Sequence, residues 1–218
     1  MSSDLTGAAP PTLMRKAGTI YCESYGCSAN RFDLEVMLGI LVEAGYRVVN
    51  DAKLADIILV NTCAVKKPTE DKMLERLRVL SSFDKPLIVA GCLPKIDFEA
   101  ICKSSSSFSA ALDPYSVDRI LEVVRSAEAG ETNRVFFSEK PQVKLLQPKV
   151  RLHKFIEIVQ IAEGCTGACS FCCVRFARGR LFSYAKELIV DRVHKAVSEG
   201  VREVWITSQD NGAYGQDI

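Results

Sequence analysis

Histidine is nearly missing from this chain: its 218 residues hold only His153 and His194, in no ligand-like spacing. A zinc site pairs C-x2-C with a second such pair or with histidines, so the usual zinc patterns are not met. An excess of either charge is also lacking. Lys and Arg number 28 against 27 Asp and Glu, net +1, which excludes a whole-molecule pull toward nucleic acid and leaves any basic surface local. No apolar run approaches the ~18 residues that span a bilayer, so no membrane partner is expected. Residues 1–18, Ser/Ala/Pro-rich with Pro10-Pro11, lack the apolar core of a signal peptide and read as a flexible extension. What the chain does hold is cysteine, nine in all. Without an export signal, that number argues for metal binding in a reducing cytosol rather than for a disulfide framework.

Hydrophobic residues make up 48% and charged residues 25%, ordinary for a folded core of one or two domains. Short apolar runs alternate with helical patterns. Strands are predicted at 19–22, 46–49, 56–61, 86–91 and 108–112. Helices are predicted at 31–44 (Leu34, Met37, Leu38 and Leu41 inward), 70–80 (Met73, Leu74, Leu77), 96–102 and 114–128 (Val117, Ile120, Leu121, Val124). This rhythm predicts an α/β domain with a parallel sheet over 19–130. Residues 131–154 are polar, with Pro141 and Pro148, and read as an interdomain segment in which 135–137 and 143–146 could add edge strands. The rhythm resumes over 155–218 with a strand at 155–161, a helix at 187–199 burying Ile189, Val193, Ala196 and Val197, and a strand at 201–207. Strand, loop, helix, strand is the opening of a βα barrel. There is no internal repeat.

Six cysteines sort into two trios. Cys165, Cys169 and Cys172 form C-x3-C-x2-C on a short Gly-containing loop straight after the strand at 155–161. Three thiolates can hold three corners of a cubic iron–sulfur cluster and leave the fourth iron free, whereas most electron-transfer clusters take four. Cys27, Cys63 and Cys92 each follow a predicted strand. In a parallel sheet, strand carboxyl ends share one edge where ligands gather, so three residues far apart in sequence meet there. A lone cysteine is commonly a small buried hydrophobe; three at equivalent strand ends favour a metal. Cys22, Cys102 and Cys173 fit neither trio and take the buried-hydrophobe role, although Cys173 adjoins Cys172 and could compete for iron.

The C-x3-C-x2-C loop is similar to the signature of the radical S-adenosylmethionine (SAM) enzymes. Tyr25-Gly26-Cys27-Ser28-Ala29-Asn30, Asn61-Thr62-Cys63 and Ala90-Gly91-Cys92, followed by Glu163-Gly164-Cys165 and the rest of that loop, together resemble the radical SAM methylthiotransferases. The match runs from about Thr19 to the C-terminus. The stretches Ala177-Arg178-Gly179-Arg180 and Thr207-Ser208-Gln209-Asp210-Asn211-Gly212 look most like the archaeal and eukaryotic branch, which acts on N6-threonylcarbamoyladenosine at position 37 of tRNA.

The resemblance implies two 4Fe–4S clusters. One, on Cys165, Cys169 and Cys172, would bind SAM and cleave it reductively to a radical that takes hydrogen from C2 of the adenine. The other, on Cys27, Cys63 and Cys92, would carry the sulfur that is methylated and transferred. A one-electron reductant of ferredoxin or flavodoxin type and a sulfur donor follow as partners. An unactivated C–H bond has no usable acidity, so a cofactor must open it. Related substrates are isopentenyladenosine in tRNA or an aspartate of a ribosomal protein. A non-catalytic iron–sulfur or zinc module is the alternative of another class. Relatives continue through further barrel strands into a small β-rich TRAM domain; its absence here implies a truncated chain with an incomplete barrel.

Supporting residues carry two readings each. Phe171 packs beside the SAM adenine or only within its loop. Ser208, Gln209 and Asp210 present polar groups to SAM or form a solvated loop. Arg175, Arg178 and Arg180 meet tRNA phosphate or a cofactor carboxylate, or are a solvated face, and Lys66-Lys67 has the same ambiguity. Asn30 and Asn61 hydrogen-bond cluster sulfur or act as turn residues. His194 is structural.

Overall fold

The structure is a computed structural model describing residues 18–105 and 107–218. The extension read at 1–18 lies almost wholly outside the described residues.

The chain runs β1 (Thr19–Ser24), α1 (Ser28–Glu43), β2 (Arg47–Val49), β3 (Ile57–Thr62), α2 (Lys67–Ser81), β4 (Leu87–Gly91), α3 (Leu93–Ile96), α4 (Phe98–Ser104), β5 (Ala110–Leu112), α5 (Ile120–Glu128) and β6 (Arg134–Phe136). These strands form one sheet in the order β2-β1-β3-β4-β5-β6, every pairing parallel. β3 and β4 are buried at every residue, as central strands covered on both faces must be. α1 and α5 cover one face with Leu34, Leu38, Leu41, Ile120 and Val124. α2 and α4 cover the other with Met73, Leu77 and Ile101. Pro114 opens a 3-10 turn, Pro114–Arg119, not the start of one long helix, and α5 continues from it.

The second part follows as β7 (Ile156–Gln160), β8 (Ala162–Glu163), α6 (Val174–Arg178), β9 (Phe182–Ser183), α7 (Lys186–Ser198) and β10 (Glu203–Thr207). β7 and β10 pair in parallel, and β8 pairs antiparallel with β9. α7 buries less than its pattern predicts. Ala196 is buried and Ile189 and Val193 are partly so, but Val197 faces solvent, because only a two-strand sheet lies beneath this helix.

Of the two edge strands that the sequence reading allowed in the segment 131–154, one forms. β6 lies within the stretch read as interdomain and closes the sheet's edge beside β5, while 143–146 forms no strand. The rest of that stretch is a strap over α1. Val150 N donates to Glu35 O at 2.9 Å and Leu152 N to Glu35 Oε1 at 3.0 Å. A Cβ at Gly39 would lie 2.3 Å from the Pro148 carbonyl oxygen, so only glycine lets the strap cross there. Sheet, strap and β7 together bury 11 of the 16 residues of α1, far more than its one apolar stripe implies. Among the described residues no helix is long and apolar enough to cross a membrane.

Candidate metal centres

The first trio lies along the carboxyl edge of the large sheet. Cys27 caps α1 after β1, Cys63 follows β3 directly, and Cys92 follows β4 and caps α3. Exposure rises from buried Cys92 through half-buried Cys63 to exposed Cys27. Two buried asparagines staple these strand ends together. Asn30 Nδ2 donates to Asn61 Oδ1 at 3.2 Å and to Thr62 O at 3.0 Å, and Asn61 Nδ2 donates to Asn30 O at 2.6 Å. Cys92 N donates to the same Thr62 carbonyl at 3.1 Å. The asparagine amides are thus spent on backbone and on each other, not on sulfur. Gly91, with φ +97°, approaches so closely that a Cβ would lie 2.3 Å from Thr62 O, and this turn delivers Cys92 to the edge. Burial pushes the Cys92 thiol above its ordinary range, opposed by the positive charge of Arg178.

The second trio sits on the loop between β8 and α6. Cys165, Cys169 and Cys172 line a cavity of about 460 Å³ with Gly167, Ala168, Ser170, Arg175 and Phe176. Gly167 N donates to Cys165 Sγ at 3.2 Å. A Cβ at Gly167 would sit 3.3 Å from Cys165 Sγ and 3.8 Å from Cys169 Sγ, so two sulfurs face one open position. Amide donors to sulfur and soft thiolate donors are what an iron–sulfur cluster takes, and both donor sets fit such a group. Among the described residues no three Cys, His, Asp or Glu side chains are gathered to hold a single metal ion; a cubane takes its thiolates on separate irons, further apart than the ligands of one ion.

The supporting residues divide. Arg175 reaches into the loop, its Nη1 donating to Gly167 O at 2.6 Å. Arg180 is exposed. Arg178 is 1% exposed and pairs with Asp33 at 2.6 Å and Glu163 at 3.3 Å, which corrects both readings for this residue, the contact with phosphate or a cofactor carboxylate and the solvated face. Gln209 Oε1 accepts from Gly164 N at 2.7 Å, bracing the base of the loop. Asp210 accepts from Gly212 N at 3.1 Å, with its other oxygen 4.0 Å from Cys165 Sγ. Ser208 turns away to Asn211 at 2.7 Å. Phe171 is 89% exposed and does not line the cavity. Phe176, 76% exposed, does line it, and sequence reasoning missed it. Its signal was its place four residues after Cys172, in the short helix α6 that follows the loop.

The unassigned cysteines also separate. Cys22 is half-buried against the core, where burial raises its thiol to about 11. Cys102 is exposed, contrary to the buried role expected, because it lies on the outer face of α4. Cys173 points away from the loop, its Sγ donating to Ala64 O at 3.0 Å, one residue past Cys63. It therefore stands between the two trios. A second tie joins the same edges, with Ser28 Oγ 2.6 Å from Thr207 Oγ1 at the end of β10.

A parallel α/β sheet with three cysteines at its strand ends, joined to a βα unit whose first loop carries three more, defines an N-terminal α/β unit followed by a cysteine-bearing βα unit. Two structures of the radical S-adenosylmethionine methyltransferase TsrM from Kitasatospora setae share this fold. One has cobalamin and a [4Fe-4S] cluster bound (TM-score 0.61, 12% identity, 89% of this chain and 49% of that one). The other has a tryptophan substrate and a SAM analogue bound (TM-score 0.57, 12% identity, 88% and 48%).

Residues 19–112, ending with β5, match the family described as Uncharacterized protein family UPF0004. The chain is 41% identical over 202 residues to a probable threonylcarbamoyladenosine tRNA methylthiotransferase of Methanothermobacter thermautotrophicus, covering 91% of this chain and 46% of the relative. It is 38% identical over 205 residues to the threonylcarbamoyladenosine tRNA methylthiotransferase of Danio rerio (91% and 37%) and 36% identical over 205 residues to that of Homo sapiens (91% and 35%). The resemblance to radical SAM methylthiotransferases of the archaeal and eukaryotic branch stands. The chain spans less than half the length of these relatives.

Proposed function

We propose that this chain carries the cluster-bearing part of a tRNA methylthiotransferase that places a methylthio group on C2 of N6-threonylcarbamoyladenosine at position 37. The observation that carries the reading is the juxtaposition of two cysteine trios, each leaving a cubane one corner short of protein ligands, on edges tied by Ser28–Thr207 and by Cys173–Ala64. The names of the relatives supply the substrate. In this reading residues 19–136 form the auxiliary-cluster unit, 137–154 the strap and 155–218 the opening of the radical SAM barrel.

Cys165, Cys169 and Cys172 would hold one 4Fe–4S cluster, and Cys27, Cys63 and Cys92 the other. When bound, the clusters would supply reductive SAM cleavage and an exchangeable sulfur position, with electrons from a ferredoxin- or flavodoxin-like reductant and sulfur from a separate donor. The chain's own residues do the positioning. Gly167 leaves room for two sulfurs and donates its amide to one; Arg175 fixes the loop through the Gly167 carbonyl; Gln209 braces the loop base; and the Asn30–Asn61 pair aligns the strand ends. Asp210, beside Cys165, and Phe176, on the cavity rim, are the groups we assign to SAM or the substrate base. Arg180 is the exposed cation free to meet phosphate. We place the enzyme in the cytosol, where it would meet a tRNA substrate.

The test is mass spectrometry of tRNA nucleosides from a strain lacking the gene. Loss of the methylthio form with retention of threonylcarbamoyladenosine is expected; an unchanged methylthio level rejects the assignment.

A further inference from the structure

The mechanism makes no use of a cluster of four deeply buried charges. Asp33 on α1, Lys144 on the strap, Glu163 on β8 and Arg178 on α6 are each at most 1% exposed. Lys144 Nζ donates to Asp33 Oδ1 at 2.7 Å and to Glu163 Oε1. Arg178 Nη2 donates to Asp33 Oδ2 at 2.6 Å and Nη1 to Glu163 Oε1 at 3.3 Å. Two cations and two carboxylates from four chain segments therefore close into a ring. The Arg178 carbonyl is held as well, accepting from Tyr115 Oη at 2.6 Å.

Four desolvated charges are a poor way to gain stability, since apolar groups of the same volume often do as well. What a hydrogen-bonded ring adds is a single allowed register, because a guanidinium fork reaches two carboxylates in only one arrangement. The positions of its members give that register a purpose. Asp33 lies six residues after Cys27, Glu163 two before Cys165, and Arg178 six after Cys172. Cys27 caps the helix that carries Asp33, so the ring ties the first trio's helix to both ends of the second trio's loop. The Arg178 charge also opposes the burial-driven rise of the Cys92 thiol. Burial alone would lower the pKa of this guanidinium, and Asp33, Cys92 and Glu163 hold it well above instead.

We infer that the buried ring Asp33–Lys144–Glu163–Arg178 is a positioning device that fixes the two cysteine trios relative to each other, with Arg178 as its key member. Its role in spacing two clusters rests on the function proposed above; its role as the lock between the two parts of the fold does not.

The experiment uses the full chain as wild type, R178K and the double variant D33L/R178M, which removes one cation and one carboxylate together and so keeps folding within reach. The first arm is metal-free. The sole tryptophan, Trp205 on β10, lies 5.7 Å beneath the Arg31 guanidinium of α1 and so reports the seam. Urea unfolding is followed by Trp205 fluorescence and by far-ultraviolet circular dichroism. Coincident midpoints are expected for wild type, with the fluorescence midpoint falling below the dichroism midpoint in both variants. Coincidence in both variants overturns the lock.

The second arm is electron paramagnetic resonance on anaerobically reconstituted, fully reduced protein. Both variants are expected to keep the wild-type iron count but to lose the mutual broadening of the two cluster signals, and R178K to shift the potential of the N-terminal cluster. Wild-type spectra and potentials in both variants overturn the positioning role. A wild type that loads a single cluster rejects the proposed function, while the first arm still decides the lock.

Discussion

Glu157, fully buried on β7, faces three cations at once. Lys149 Nζ and Arg192 Nε both donate to Oε1 at 2.8 Å, and Arg151 Nη1 donates to Oε2 at 3.3 Å. Burial would raise its pKa, but Lys149 and Arg192 override that and hold the carboxyl below its usual range. The sign follows from linkage. A depressed carboxylate contributes its stability above the unfolded pKa of about 4.3 and loses it as pH falls through the lower folded value. Glu157→Gln is therefore expected to cost about 3–5 kcal/mol near neutrality, because it leaves buried cations unpaired, and to flatten the loss of stability between about pH 5 and 3. Thermal unfolding across that range checks it; a parallel pH profile in the variant would contradict it. Single residues were the scale at which the sequence said least. Nothing in their spacing marks Lys144 and Lys149 as buried, or separates Arg178 from exposed Arg180, since burial of a charge depends on partners from distant segments.

Among the elements, α1 and the strap that crosses it carry the clearest lesson. Leu34, Leu38 and Leu41 mark one apolar stripe, and that stripe does face the sheet. Asp33 and Glu35 flank that stripe on either side of Leu34 and are buried against the strap through Lys144, Val150 and Leu152. Strands were legible because parallel central strands are continuous apolar runs ended by Gly, Asn or Cys. The strap was not, because its polar composition matches that of a loose linker while its lysines find buried partners. Alanine at Gly39 normally favours a helix by about 1 kcal/mol. Here the close approach of the Pro148 carbonyl reverses the sign: Gly39→Ala is expected to lose about 1–3 kcal/mol through overpacking, read as a lowered denaturation midpoint. A stabilised variant would mean that the strap does not bear on α1.

For the whole molecule, the sequence named six candidate ligands, Cys27, Cys63 and Cys92 after strands of the parallel sheet, where such a fold collects its sites, and Cys165, Cys169 and Cys172 on one loop. It did not reveal how the two edges are joined. Ser28–Thr207, Cys173–Ala64 and the buried ring all connect residues more than a hundred positions apart or lie across the strap, and no local pattern encodes such pairings. The account's central claim is that there are two separate cluster sites, and iron and sulfide counting after anaerobic reconstitution tests it most directly. The wild-type chain is expected to hold about eight irons, as two four-iron clusters, and the Cys27→Ala/Cys63→Ala/Cys92→Ala variant about four, with the remaining cluster intact. About four irons in both proteins would contradict the account.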